Sequence, residues 1–227
     1  MKFVVTAGPT REHLDPVRFL SNPSTGKMGF AVARAAVMRG HEVALVAGPV
    51  SLKTPKGVRR IDVTSARDML AAVEQEIAKA KSGKPIVFVS TAAVADWRPA
   101  KCAARKLKKG QMSDTLKLVR NPDILKEIGR RTKISHSPTR PLAHSNTYLV
   151  GFAAETNDVV AEARRKCREK NLDMIVANDV TEKGSGFGVD TNRVTLVRKD
   201  GSVERLPLMT KLAVARRIVR ECEDLCP

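Results

Sequence analysis

Apolar runs and helical spacings alternate along the 227-residue chain. Lys2–Ala7 holds Phe3, Val4 and Val5 in succession, which predicts a strand. Gly26–Arg39 sets Met28, Ala31, Val32, Ala35 and Ala36 at helical spacing, and Gly40 follows as a stop. His41–Val46 and Val58–Val63 predict two further strands, and Thr64-Ser65 caps a helix running to about Ala80. Ile86–Val89 is apolar throughout, as a strand covered on both faces should be. Tyr148–Phe152 and Met174–Ala177 repeat that character around a helix over about Asp158–Lys170. Asn121-Pro122-Asp123-Ile124 is a turn that opens another helix. This rhythm predicts an α/β fold with a Rossmann-like, mostly parallel sheet and helices on both faces.

Two stretches break the rhythm. Arg105–Val119 alternates charged and apolar residues around Gly110, which predicts a hairpin or mobile flap extending the fold at about residues 100–119. Arg193–Leu206 carries Asp200-Gly201 between alternating runs, a second hairpin signal. Thr210–Glu223 reads as a closing helix, and Arg130–Ser145, polar with two prolines, as a surface loop. The length suits one domain over 1–227.

Composition narrows the partners. Lys and Arg number 41 against 24 Asp and Glu, a formal net charge of +17, which suits nucleic acid, anionic lipid or a polyanionic small substrate. With only Phe 6, Trp 1 and Tyr 1, stacking platforms for single strands are a poor fit, so phosphorylated small molecules are expected and nucleic acid is not. No run approaches the roughly 18 apolar residues of a membrane helix; the most apolar stretch, Ile86–Ala95, is interrupted by Ser90 and Thr91. Met1–Val5 is too short for a secretory leader before structured sequence begins. Cys102, Cys167, Cys222 and Cys226 form no CxxC pair and only four His are present, so reduced thiols in a cytoplasmic protein are expected rather than a zinc site.

Candidate chemistry gathers where strands end. Ala7-Gly8-Pro9-Thr10-Arg11 leaves the first strand, and Ser24-Thr25-Gly26-Lys27-Met28-Gly29 opens the first helix. Free backbone N–H groups at a helix N-terminus meet anions, so Asn22–Gly29 forms a natural anion cradle. It is no Walker A loop, because Ser21 holds the glycine place and Met28 follows Lys27; it is no GxGxxG either, because Gly8 and Gly26 lie far apart. Ser90-Thr91-Ala92-Ala93-Val94-Ala95-Asp96 leaves a buried strand with small residues and a carboxylate at the rim. Lys106-Leu107-Lys108-Lys109 is either a solvated face or a cationic lid. Gly151-Phe152-Ala153-Ala154-Glu155-Thr156 and Asn178-Asp179-Val180 end two more strands, and Lys166 and Lys170 share one helical face. That convergence on one edge outweighs any single motif.

Taken in order, these segments, together with Asp15-Pro16-Val17-Arg18-Phe19-Leu20-Ser21-Asn22, resemble phosphopantothenoylcysteine synthetase, the ligase of coenzyme A biosynthesis, over about Val4 to Val219. The resemblance implies that 4′-phosphopantothenate attacks the α-phosphate of CTP to give an acyl-cytidylate, which the amine of L-cysteine then opens. It implies Mg²⁺ accompanying the triphosphate and a cytoplasmic homodimer; with no decarboxylase half in this sequence, it implies either a free-standing synthetase beside a possible separate flavin-dependent decarboxylase or an excised domain. Asn22 matches the family asparagine that contacts the acyl group, and Lys106 the first lysine of the KxKK flap, both catalytic. Ser90, Thr91, Ala92, Asp96, Lys106, Pro122, Asp123, Ile124, Leu125, Phe152, Lys166 and Lys170 match nucleotide-contacting positions. Asn22, Ser24, Thr25, Gly26, Lys27 and Ala92 fall where phosphopantothenate and phosphate are handled; the metal ligands stay unassigned. The sequence departs from the family pattern at Pro23, at Thr25 in place of a commoner serine, and at Trp97 where tyrosine or phenylalanine is familiar. Three alternatives stay open: an ATP-using ligase, a dinucleotide-dependent oxidoreductase, and a basic nucleic-acid-binding module. The broken glycine fingerprint and the absence of an acidic residue in Val46-Ala47-Gly48-Pro49 count against the second. The small-residue strand ends count against the third.

Overall fold

The computed structural model describes residues 1–80, 83–108, 115–133 and 146–226. In chain order the elements are β1 (Lys2–Ala7), β2 (Arg11–His13), β3 (Phe19–Ser21), α1 (Lys27–Met38), β4 (Glu42–Ala47), β5 (Arg59–Asp62), α2 (Ala66–Ala78), β6 (Ile86–Ser90), β7 (Trp97–Pro99), β8 (Leu118–Arg120) and α3 (Ile124–Lys133). There follow β9 (Thr147–Glu155), α4 (Val159–Glu169), β10 (Met174–Asp179), β11 (Thr191–Asn192), β12 (Thr195–Arg198), β13 (Val203–Arg205), β14 (Met209–Thr210) and α5 (Lys211–Asp224).

An eight-stranded sheet runs β13-β12-β10-β9-β6-β1-β4-β5. The strands from β10 to β5 are mutually parallel, and β12 and β13 add antiparallel at one edge. The α/β, mostly parallel Rossmann-like fold with helices on both faces is therefore present. Side chains alternate across it, as the period of two demands. Phe3, Val5, Val87 and Val89 pack under α1 and α5, whereas Val4, Ile86, Phe88 and Leu149 pack under α2, α3 and α4. Because both faces are covered, β1 and most of β6 are buried and read as unbroken apolar runs.

Local chemistry sets the helix ends. Ser65 Oγ accepts the Asp68 N–H at 3.2 Å while Asp68 Oδ2 accepts the Ser65 N–H at 2.9 Å, a reciprocal capping box on α2. Thr210 Oγ1 accepts the Ala213 N–H at 3.2 Å at the start of α5. At the amino ends of the strands, Lys2 and Glu76 are buried together, and Arg59 and Lys79 also reach Glu76. Burial pushes the Glu76 carboxyl up, but these cations outweigh it and hold it below its ordinary value. Removing one partner of so buried a pair costs about 3–5 kcal/mol.

The structure differs from the sequence reading in four places. Arg11–His13 and Phe19–Ser21 pair as a hairpin inside the excursion before α1; three-residue strands are too short to show alternation. The extension expected from Arg105 has its base at Trp97, because β7 pairs antiparallel with β8 across it. Its tip at 109–114, with Lys109 and Gly110, lies outside the described residues. Arg130–Lys133 is helical, not loop: Glu127 pairs with Arg130 and Arg131 at i+3 and i+4, so polar residues carry the last turn of α3. The rest of the expected surface loop, 134–145, lies outside the described residues. β11 and β14 form a small ribbon with no counterpart in the sequence reading. The β12–β13 hairpin falls inside 193–206. Among the described residues no helix is long and apolar enough to cross a membrane, and none of the four cysteines is joined in a disulfide.

Candidate functional site

The carboxyl ends of β6, β9 and β10 face the start of α1 across a cleft of about 450 Å³. Gly26, the residue before α1, holds φ at +79°, a left-handed conformation that glycine adopts without strain. No side chain caps α1 and no acidic residue sits in its first turn, so its leading N–H groups are left for a ligand. Gly29 permits a close approach: a Cβ there would stand 2.4 Å from Thr91 Oγ1 and 2.5 Å from Ala7 Cβ. The helix thus lies directly against the ends of β1 and β6.

The exit from β6 is strapped to the exit from β1. Thr91 Oγ1 donates to the Thr6 carbonyl at 2.5 Å, and the Ala92 N–H donates to Thr6 Oγ1 at 3.3 Å. The Ala93 N–H donates to the Gly8 carbonyl at 2.9 Å, and the Ala95 N–H to Thr10 Oγ1 at 3.0 Å. Asn22 closes the strap, its Nδ2 donating to the Ala93 and Val94 carbonyls at 3.2 Å each. Asn121 Nδ2 donates to the Ala95 carbonyl at 2.8 Å, which brings the start of α3 to the same edge. Asp123 Oδ1 accepts the Lys126 N–H at 3.1 Å and so caps that helix.

Cations reach the cleft from both faces of the sheet. Lys166 and Lys170 come from the α4 side, where Lys166 pairs with Glu155 at 2.6 Å and Lys170 with Asp123 at 2.8 Å. Lys27 and Lys211 come from the α1 and α5 side. Lys27 Nζ donates to the Gly188 carbonyl at 2.7 Å and to Asp190 at 2.8 Å, and that ammonium holds the Asp190 carboxyl below its ordinary value.

The cleft brings together Asn22, Ser24, Thr25, Gly26, Lys27, Ser90, Thr91, Ala92, Asp96, Pro122, Asp123, Ile124, Leu125, Phe152, Lys166 and Lys170. Lys106 is the exception: it is exposed and not part of the lining. Its neighbour Leu107 is held by Asp15 and Arg18, so the flap backbone is tied to the segment leading into the cradle. Sequence reasoning missed Lys211, Asn192, Gly186 and Phe187 in the lining. One signal was available: a lysine directly after the Thr210 cap puts a cation against the positive end of a helix dipole, an unfavourable place without an anion nearby. Asn192 and the 186–187 pair carry no local signature. Among the described residues no group of three or more His, Cys, Asp or Glu assembles.

Residues 1–225 match the family model described as DNA/pantothenate metabolism flavoprotein C-terminal domain. The chain is 50% identical over 223 residues to the coenzyme A biosynthesis bifunctional protein CoaBC of Bacillus subtilis strain 168, covering 98% of this chain and 51% of that protein. It is 46% identical over 224 residues to the protein of the same name from Vibrio vulnificus strain YJ016, covering 98% and 52%. The crystal structure of the C-terminal domain of coenzyme A biosynthesis bifunctional protein CoaBC is similar at a TM-score of 0.77 and 42% identity, covering 99% of this chain and 94% of that one. The chain spans about half the length of the curated relatives it matches.

Proposed function

The chain belongs to the DNA/pantothenate metabolism flavoprotein C-terminal domain family, and from that premise we propose that it is a phosphopantothenate–cysteine ligase working through an acyl-cytidylate. The observation that carries the reading is the cleft itself: an uncapped helix N-terminus, small-residue strand ends and lysines from both sheet faces meet at one edge. The similarity to the C-terminal domain of CoaBC supports it.

The chemistry suits such a site. A carboxylate is a poor electrophile because oxide would have to leave. Attack of the phosphopantothenate carboxylate on the α-phosphorus of CTP breaks the bond to the β-phosphate and releases pyrophosphate. The cysteine amine then attacks the acyl carbon, CMP leaves with the acyl C–O electrons, and the nitrogen gives up a proton. Both first-step reactants are polyanions, so the protein's task is positioning and neutralisation. In this reading Ser24 to Lys27 receive phosphate, while Ser90 to Ala92, Asp96, Pro122 to Leu125, Phe152, Lys166 and Lys170 hold the nucleotide. Asn22 serves the acyl group through its carboxamide, exchanging a bond to the Ala93 or Val94 carbonyl for one to substrate. Lys106 comes to the reacting phosphate on the flap. Mg²⁺ enters on the triphosphate as part of the substrate.

We further propose one functional unit over 1–227, acting in the cytoplasm as a homodimer beside a flavin-dependent decarboxylase. Val17, Phe19, Trp97, Leu116 and Leu118 expose apolar side chains on and beside the two small antiparallel ribbons, which supports a surface covered by a second copy. The deciding experiment measures pyrophosphate release from phosphopantothenate with CTP or ATP, each with and without cysteine. CTP-dependent release without cysteine is expected. Release only after cysteine is added removes the stepwise mechanism, and equal use of ATP removes the nucleotide preference.

A further inference from the structure

Lys211 is the first residue of α5, lines the cleft and is 7% exposed. Its Nζ donates to the Gly186 carbonyl at 3.0 Å and to that of Val189. Four lysines line the cleft, and Lys27, Lys166 and Lys170 each meet a carboxylate. Lys211 meets none at ion-pair distance among the described residues; carbonyl dipoles alone hold its charge. Burial pushes its pKa down and Lys27 pushes the same way, with Asp190 opposing. Asp190 is itself 87% exposed and bonded to Lys27. Two ammonium groups and the N-termini of two helices thus collect at one end of the cleft against one solvated carboxylate. Such a concentration of positive charge is unfavourable by itself and complementary to an anion.

Asn192 supplies an independent observation. It lines the same cleft, is 4% exposed, and its Oδ1 is buried with no hydrogen-bond partner. Buried polar atoms are nearly always partnered, so an orphan in a cleft wall marks where a ligand atom belongs. The ribbon of β11 and β14 sets Asn192 opposite Met209, two residues before Lys211, so both come from the same short support.

We infer that Lys211, Asn192 and Lys27 form a subsite for a phosphoryl group at the α1/α5 end of the cleft. The inference rests on the ligase reading above for the identity of the substrates. A carboxamide offers an acceptor on one side and donors on the other, and half a turn about its bond exchanges them. Asn192 therefore donates to a phosphoryl oxygen or accepts from a protonated one. Lys211 and Lys27 supply charge-assisted bonds to the remaining oxygens. Two substrates carry the same chemistry: the outer phosphates of the triphosphate, and the 4′-phosphate of phosphopantothenate.

The test is calorimetric binding to the full chain, with CTP against CMP, phosphopantothenate against pantothenate, and inorganic pyrophosphate. Lys211→Met and Asn192→Asp are expected to weaken the phosphate-bearing member of one pair by about tenfold to a hundredfold, the effect of losing a charged hydrogen bond. The member without that phosphate should stay within about twofold, and Lys211→Arg should recover most of the loss. Loss confined to CTP assigns the subsite to the triphosphate, and loss confined to phosphopantothenate assigns it to the 4′-phosphate. Circular dichroism checks each variant; if Lys211→Met unfolds, the near-isosteric Asn192→Asp carries the test. Unchanged binding in folded variants overturns the subsite. So does equal weakening of CMP and pantothenate, which would mark a structural role. A wild-type chain that binds pyrophosphate through Lys211 yet makes no product from phosphopantothenate, CTP and cysteine removes the ligase reading and leaves the subsite standing. A wild-type chain that binds none of these probes overturns both.

Discussion

Asp15 and Leu107 lie 92 residues apart in sequence, yet the Leu107 N–H donates to Asp15 Oδ2 at 3.2 Å. Arg18, paired with the same carboxylate at 2.6 Å, donates to the Leu107 carbonyl at 3.1 Å. An ion pair on the segment before the cradle therefore grips both polar groups of one flap residue, between Lys106 and Lys108. Asp15 also accepts the N–H groups of Val17 and Arg18 at 2.9 and 2.8 Å, and its side chain is sealed from solvent. The clamp fixes where the flap leaves the body of the fold.

The clamp has a pH signature. The Arg18 hydrogen bond holds the Asp15 carboxyl well below the usual carboxylate range; burial opposes this, and the Val17, Arg18 and Leu107 N–H groups add to it. A carboxyl lowered in the folded state contributes stability above its unfolded value and loses it as pH falls toward the folded value. Asp15→Asn should therefore lower the melting temperature most near neutrality, with the gap to wild type narrowing below about pH 4. Thermal denaturation of both proteins from pH 7 to pH 3 checks this. A gap of constant size across that range would mean the charge is not what matters.

Lys106 should act on turnover more than on nucleotide binding. Lys106→Gln is expected to slow the reaction by about two orders of magnitude or more, the scale for losing one preorganised donor. Single-turnover rates and nucleotide affinity measured side by side separate the two effects. Near-normal turnover would reduce the lysine run to a solvated patch.

Asn22 should matter most in the second step. Asn22→Ala removes a side chain that bonds both the Ala93 and Val94 carbonyls, and with it the carboxamide proposed for the acyl oxygen. If its donor matches the oxyanion formed when cysteine attacks, the variant should still form the acyl-cytidylate slowly but fail to convert it. Mass spectrometry of the quenched mixture reads the trapped species. Normal product formation takes Asn22 out of the active site, and a folded protein giving neither species moves it to the first step.

Gly29 tests the packing of helix against strand ends. Gly29→Ala places a methyl against Thr91 Oγ1, Ala7 Cβ and, at 2.9 Å, the Thr6 carbonyl, none of which is a flexible side-chain end. Overpacking of this kind costs about 1–3 kcal/mol, and here it also shifts Thr91 and the cradle. Urea denaturation should show the loss. A variant as stable as wild type would mean that α1 rides further from the sheet than the structure has it.

The core strands and the start of α1 were legible because their signals are local. Phe3-Val4-Val5 and Ile86–Val89 are apolar on both faces, and Gly26 precedes a helical spacing that begins within two residues. Other features depend on partners far along the chain. The β7–β8 pairing joins Trp97 to Arg120 across the extension. Neither strand is long enough to declare itself. Arg130 looked like loop because its helical turn is polar in sequence and is held in part by the pair with Glu127. Asn192 and Lys211 enter the cleft through a two-residue ribbon whose register no local pattern encodes.

The sheet also works as a partition. Lys27 and Lys211 lie on one side of it and Lys166 and Lys170 on the other, so if the α1/α5 subsite takes the 4′-phosphate, two polyanions each find counter-charge without competing for the same ammonium groups. For the proposed ligase this bears on the order of events. Mutual repulsion between the reactants is screened by the protein that separates their charged ends, and only the reacting groups need meet at the sheet edge. Neither reactant has to depart before the other arrives. The steady-state rate pattern for phosphopantothenate and CTP should then be the intersecting lines of a ternary complex, and not the parallel lines of an exchange in which one product leaves first.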